Sequence, residues 1–251
     1  MTTLLDQVIS AVQRGALVLT ANRRLYRHLR AGYAARMQQE GRAVWATPEI
    51  YPFDGWLVRC LDLLGEGWRL LSVAQQHHLW EENLLRASRG TALELMNVEK
   101  ITETAVRAHN LLSDYDLALP EYGLTDDQQA FAAWRRAYQA HCQTHELLDQ
   151  GGLAQYIVRA LAKGDLAAPA EVLLAGFDQL PPGAQALSRQ IGALGGRCHA
   201  ARLASGPGGE VIRFAAADER DEATAMARWV RHQLERGATS IGVVVPDLQR
   251  R

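Results

Sequence analysis

Cysteine is scarce. Cys60, Cys142 and Cys198 are the three in 251 residues, odd in number and far apart, which argues against a disulfide framework and for a reducing compartment. No apolar run approaches the length that crosses a bilayer. The first fifteen residues interrupt their apolar pattern with Asp6 and Gln7, which excludes a signal peptide. The expectation is a cytoplasmic protein. Neither sign of charge dominates: 27 Lys and Arg face 28 Asp and Glu, for a net charge of −1. Bulk electrostatics therefore does not point to nucleic acid, and any anion site must be local. Metal chemistry lacks its ligands. His141 and His145 stand one helical turn apart with Cys142 between them, but no third and fourth ligand accompany them and no glutamate follows as in HExxH. His77 and His78 read the same way. Ser188 and Ser205 lie in no nucleophile elbow. No metal and no cofactor is expected.

What is present is organised around one stretch near the N-terminus. Ala16 to Leu19 is a short apolar run that reads as a buried strand, Thr20-Ala21-Asn22 is a polar turn, and Leu25, Leu29 and Tyr33 mark one face of a following helix. Strand, tight turn and helix is the arrangement of a phosphate loop, where N–H groups at a helix start cradle phosphate. The loop's chemistry is missing, because Thr20, Ala21, Asn22, Arg23 and Arg24 include no glycine to wrap an anion and no lysine.

Elsewhere the pattern divides. Leu4, Leu5, Val8, Ile9 and Val12 predict a first helix stopped by Gly15. Ala43 to Ala46 predicts a second strand, and Phe53 opens a helix closed by Gly65 or Gly67. From Ser72, an N-cap by residue type, to Lys163 only helical spacing is found: Leu79, Trp80 and Leu84; then Glu94 to Asp114; then Asp126 to Glu146 with Phe131, Trp134 and Tyr138; then Gly152 to Lys163. A helical block inside an α/β pattern reads as an inserted subdomain. Val172 to Gly176 predicts a buried strand, Pro182 the first turn of a helix, and Cys198 to Leu203 a further strand. After the linker-like Ala204 to Gly209, strand Val211 to Ala215, helix Glu219 to Glu235 and strand Ile241 to Val245 predict a βαβ unit. The chain stops where another helix is expected, which reads as a fragment of a longer protein.

Six segments in this order and spacing resemble the N-terminal part of AddB/RecC-like proteins, and more closely a bacterial family of DNA repair proteins. They are Leu17 to Leu25 (LVLTANRRL), Trp45 to Leu57 (WATPEIYPFDGWL), Leu71 to Gln76 (LSVAQQ), Leu173 to Pro182 (LLAGFDQLPP), Phe214 to Glu222 (FAAADERDE) and Ile241 to Leu248 (IGVVVPDL). Members of that family join an inactivated superfamily I helicase region to a distant C-terminal PD-(D/E)xK nuclease. The resemblance implies an α/β, P-loop NTPase (RecA-like) parallel sheet with an all-helical insertion. Residues 1–71 and 164–204 would form a degenerate first RecA-like domain, residues 72–163 the insertion, and residues 205–251 the start of a second, incomplete RecA-like domain. It implies DNA, single-stranded or at duplex ends, as a partner of the full-length protein, together with the nuclease domain of the same protein and a helicase partner subunit, and no membrane.

The departures from an active helicase are as informative. Such an enzyme carries an Asp-Glu pair at the end of the strand after the insertion, for magnesium and the attacking water. Here that degenerate Walker B position reads Ala175, Gly176, then Asp178 beyond Phe177, with no acidic neighbour. No ATP hydrolysis is expected, so the catalytic residues are none, and Asp178 is expected to cap its turn. The DNA-binding candidates are Arg23, Arg27 and Arg30, which share a helix face, and Tyr51, whose ring would stack on a base. The competing readings are a divergent ATPase that uses Arg23 or Arg24 in place of lysine, and a protein-interaction platform whose arginine face is merely solvated.

Overall fold

The structure, a computed structural model, describes residues 3–65, 67–88, 97–120, 122–201 and 211–245. The chain forms two compact units, Met1–Ala204 and Ser205–Arg251.

The first unit is α/β. Four parallel strands form one sheet: β1 (Leu17–Thr20), β2 (Ile50–Pro52), β5 (Glu171–Ala175) and β6 (Arg197–Ala200), in the order β2-β1-β5-β6. Its two central strands are buried along almost their whole length because both faces are covered. Alternation sorts their side chains: Leu17, Leu19, Val172 and Leu174 enter one core, Val18, Leu173 and Ala175 the other. The first core is roofed by α3 (Phe53–Leu64), α7 (Gln150–Lys163) and α8 (Pro182–Ala193) through Trp56, Leu57, Leu153, Ile157, Leu187 and Ile191. On the opposite face, α1 (Leu4–Gln13) contributes Val8 and Ala11, and α2 (Arg23–Gln39) contributes Leu29. Thr3 and Asp6 close a capping box on α1, Asn22 caps α2, and Gly65 ends α3 at φ 61°.

The second strand is not at Ala43 to Ala46. That segment has no ladder partner, and Val44 is 87% exposed. The strand falls six residues later, where Ile50 pairs with Val18 and is fully buried against α1 and α2. An apolar tetrapeptide is not enough when a later residue fits the core in register.

Three helices, α4 (Val73–Ser88), α5 (Val98–Asp114) and α6 (Asp126–Thr144), build a separate core around Trp80, Leu84, Ala105, Tyr138 and Cys142. Ser72 caps α4 reciprocally with Gln75. The stretch from Ser72 to Lys163 is not helical throughout. Glu146, at φ 52°, redirects the chain into β4 (Leu147–Leu148), which pairs in parallel with β3 (Arg69–Leu70). Moreover α7, the last helix of that stretch, packs directly on the sheet.

In the second unit, α9 (Glu219–Glu235) is capped by Asp218 and buries no residue. Neither Val211 to Ala215 nor Ile241 to Val245 is a strand. Both are apolar enough, yet a strand exists only where another offers its N–H and C=O groups, and among the described residues of this unit there is no such neighbour. The linker-like Ala204 to Gly209 lies outside the described residues.

Candidate functional site

Ligands of open α/β sheets collect beyond the carboxyl ends of the strands, where the strand order reverses. Here the reversal is between β1 and β5, since the chain runs from β1 outward to β2 and returns on the other side as β5. The two turns singled out in the sequence therefore lie side by side: Ala21 N–H donates to the carbonyl of Ala175 at 3.0 Å. Gly176, at φ 76°, lies so close to α2 that a Cβ there would collide with Leu25 Cδ2.

This corner is furnished by the protein itself. Asn22 Oδ1 accepts from Leu25 N–H at 2.9 Å, at the start of α2 where a phosphate loop would hold its anion. Thr20, fully buried, donates its hydroxyl to the carbonyl of Asn22 at 3.0 Å and closes the turn. Asp178 is exposed and makes no side-chain hydrogen bond or ion pair among the described residues, so it does not cap its turn. Phe177 instead anchors the turn edge-to-face on Phe53, with centroids 6.4 Å apart.

Arg23, Arg24, Arg27 and Arg30 are all exposed on α2. Among the described residues none of the four has a carboxylate partner, whereas Arg36, two turns further on, pairs with Asp6 at 3.1 Å. Arg30 donates to the Tyr26 hydroxyl at 3.1 Å and lies over its ring. Tyr51 is half-buried on the edge strand β2. Burial, chiefly, and a hydrogen bond to Glu49 push its hydroxyl above the ordinary phenol range, against the opposing charges of Arg59 and Arg30. Thus Arg30 and Tyr51 come within electrostatic range of each other. Arg59, on α3, was not evident from the sequence. Its guanidinium lies over the Tyr51 ring at 5.5 Å, covering a face that a base would stack on. The only hint was that it is the sole cation of an otherwise apolar helix with two aspartates.

A cleft of about 810 Å³ opens beside the same carboxyl edge, bordered by Phe53, Asp54, Asp114, Gln150, Gln179 and Pro182. None of its described lining residues is a cation. Burial, with the charges of Asp149 and Asp54, holds the Asp114 carboxyl above its usual range. The cleft is acidic and suits no phosphate.

The sequence also gave no warning of a polar cluster inside the helical block. Asp149 caps α7 by accepting from Gly152 N–H at 2.8 Å. Its other oxygen receives His109 Nε2 from α5 at 2.7 Å and the Tyr138 hydroxyl from α6 at 3.2 Å. His109 and Tyr138 are 2% exposed and Asp149 8%. Burial alone would raise the Asp149 carboxyl; the hydrogen bonds it accepts from His109, Gly152 and Tyr138 hold it below the usual range. Residues so scattered in sequence meet only through packing. The His141 and His145 rings, by contrast, lie 4.3 Å apart with no further ligand beside them among the described residues.

Residues 3–201 thus define an α/β protein built on a parallel four-stranded sheet, with a helical subdomain set between two of its strands. The chain matches no protein-family model and no curated protein. No helix among the described residues is long and apolar enough to cross a membrane.

Proposed function

We propose that this chain is a non-catalytic, helicase-like scaffold that binds DNA through phosphate contacts on the arginine face of α2. One observation carries the reading: Arg23, Arg27 and Arg30 are exposed and lack carboxylate partners among the described residues, while Arg36 on the same helix has one. A cation near a helix start opposes the macrodipole, a cost that an external anion would relieve. The strand-turn-helix at the switch point supports a degenerate P-loop, RecA-like ancestry. The Asn22 side chain at the head of α2 supports a loss of nucleotide chemistry there. On this reading, residues 205–251 begin a second RecA-like domain, a PD-(D/E)xK nuclease follows in the same polypeptide, and a helicase subunit is a partner.

Binding is expected to be indifferent to sequence and steep in salt. Three phosphate contacts on single-stranded DNA give a slope of log K against log salt of about −2, at roughly 0.7 per neutralised phosphate. Fluorescence anisotropy with Arg27→Ala should reduce the slope by about 0.7 with an unchanged thermal midpoint. A triple Arg23→Ala, Arg27→Ala, Arg30→Ala variant that binds with the wild-type affinity and slope would sink the reading. The divergent-ATPase alternative predicts magnesium-dependent turnover that disappears with Arg23→Ala.

A further inference from the structure

A pocket of about 760 Å³ lies in the helical subdomain, lined by α6 and by residues of the connection that precedes it. Leu119 and Pro120 form an apolar side; Arg135, Arg136, Gln129 and Gln139 furnish the polar one. No described lining residue is a carboxylate. Such a volume is in the range of small-molecule sites, roughly 300–1,000 Å³.

Arg135 is held in place from behind. Its Nε–H donates to His109 Nδ1 at 3.4 Å. With Nδ1 accepting that bond, Nε2 is the nitrogen that donates to Asp149. The Arg135–His109–Asp149 chain therefore fixes the guanidinium through a histidine that is 2% exposed. Arg135 lines the pocket, and its two Nη groups have no hydrogen-bond or ion-pair partner among the described residues. Burial lowers the Arg135 pKa, and the charge of Asp149 offsets this in part. A half-buried guanidinium this poorly compensated favours an incoming anion. Gln129 donates its amide to the Leu124 carbonyl at 3.0 Å and shapes the wall.

We propose that this pocket binds a phosphate group, clamped between the fixed guanidinium of Arg135 and the exposed one of Arg136. Consecutive residues project about 100° apart around a helix, so the two arginines approach a ligand from different directions. A planar carboxylate is satisfied by a single guanidinium fork; a tetrahedral oxyanion takes donors from several sides. The site is independent of the arginine face of α2 and stands or falls separately.

The test is a titration of the ¹⁵N-labelled 251-residue chain with inorganic phosphate, dimethyl phosphate and acetate, read on the arginine Nε–H resonances. Arg135→Lys assigns the Arg135 signal. Phosphate should shift that signal saturably, and Arg136→Ala should weaken binding about tenfold, the effect of losing one charge-assisted hydrogen bond, with the thermal midpoint unchanged. The triple alanine variant of Arg23, Arg27 and Arg30 should bind phosphate as the wild type does. Equal binding of dimethyl phosphate would assign the site to a nucleic-acid backbone; preference for inorganic phosphate would assign it to a phosphomonoester. Both support the proposal. It is overturned if no shift saturates, if acetate binds as well as phosphate, if Arg136→Ala has no effect, or if the triple variant abolishes the shift.

Discussion

Asp149 shows how much one residue can organise. Its carboxylate takes three donors from α5, α6 and the start of α7, and so ties the helical subdomain to a helix that covers the sheet. Asp149→Asn replaces the charged acceptor facing His109 with an amide, and a loss of about 2–3 kcal/mol is expected in urea denaturation. The pH dependence follows from the direction of the shift. Because the folded carboxyl is held below its ordinary range, its contribution is fully present above the unfolded value of about 3.9 and is lost as pH falls through the folded value. Wild-type stability should therefore drop more steeply below about pH 4 than that of Asp149→Asn, measured by denaturation midpoints across that window. Gly176 is a second determinant at this scale. Its φ of 76° disfavours any side chain, and a Cβ there would have to push Leu25 Cδ2 aside. Gly176→Ala should cost about 2 kcal/mol from the left-handed backbone alone, with Leu25 displaced in addition.

Among the elements, α2 joins folding to the proposed binding. Leu29, Tyr33 and Met37 bury one side, while the arginines occupy another without contributing to the core. Asn22→Ala removes the cap and should lower stability by about 1 kcal/mol, while leaving the salt slope of DNA binding unchanged, since Asn22 carries no charge. Thermal and anisotropy measurements on the one variant separate these effects. The sequence identified α2, α3, α8 and α9 from apolar spacing, caps and stop signals, because those determinants are local. It misplaced the second strand because Ala43 to Ala46 and Ile50 to Pro52 are both short and extended. Only pairing with β1, and the burial of Ile50 that accompanies it, separates them.

For the molecule as a whole, the two units differ in what they bury. The described residues up to Ala204 hold four apolar clusters. In the second unit α9 buries nothing, and Ile212, Phe214 and Trp229 are 71%, 62% and 48% exposed. A protein comprising residues 1–204 should therefore unfold cooperatively, with a thermal midpoint within about 2 °C of the full chain by differential scanning calorimetry. A separate peptide of residues 205–251 should show little helix by circular dichroism, since a 17-residue helix with no buried face is marginal in water.

By itself the sequence determined the α/β class, the strand-turn-helix at Leu17 to Tyr33, its missing glycines and lysine, and the exposed arginines. Each depends on residues a few positions apart, whose preferences act before any tertiary contact exists. What only the tertiary structure decided are the relations between distant segments: the parallel order β2-β1-β5-β6, the pairing of β3 with β4, and the placement of α7 on the sheet. Arg59 over Tyr51, and Arg135 held by His109 and Asp149, belong with them. Arg135 and Asp149 look like ordinary surface charges in the sequence. Packing brings them to either side of one imidazole, and burial there gives a weakly signalled arrangement its energetic weight.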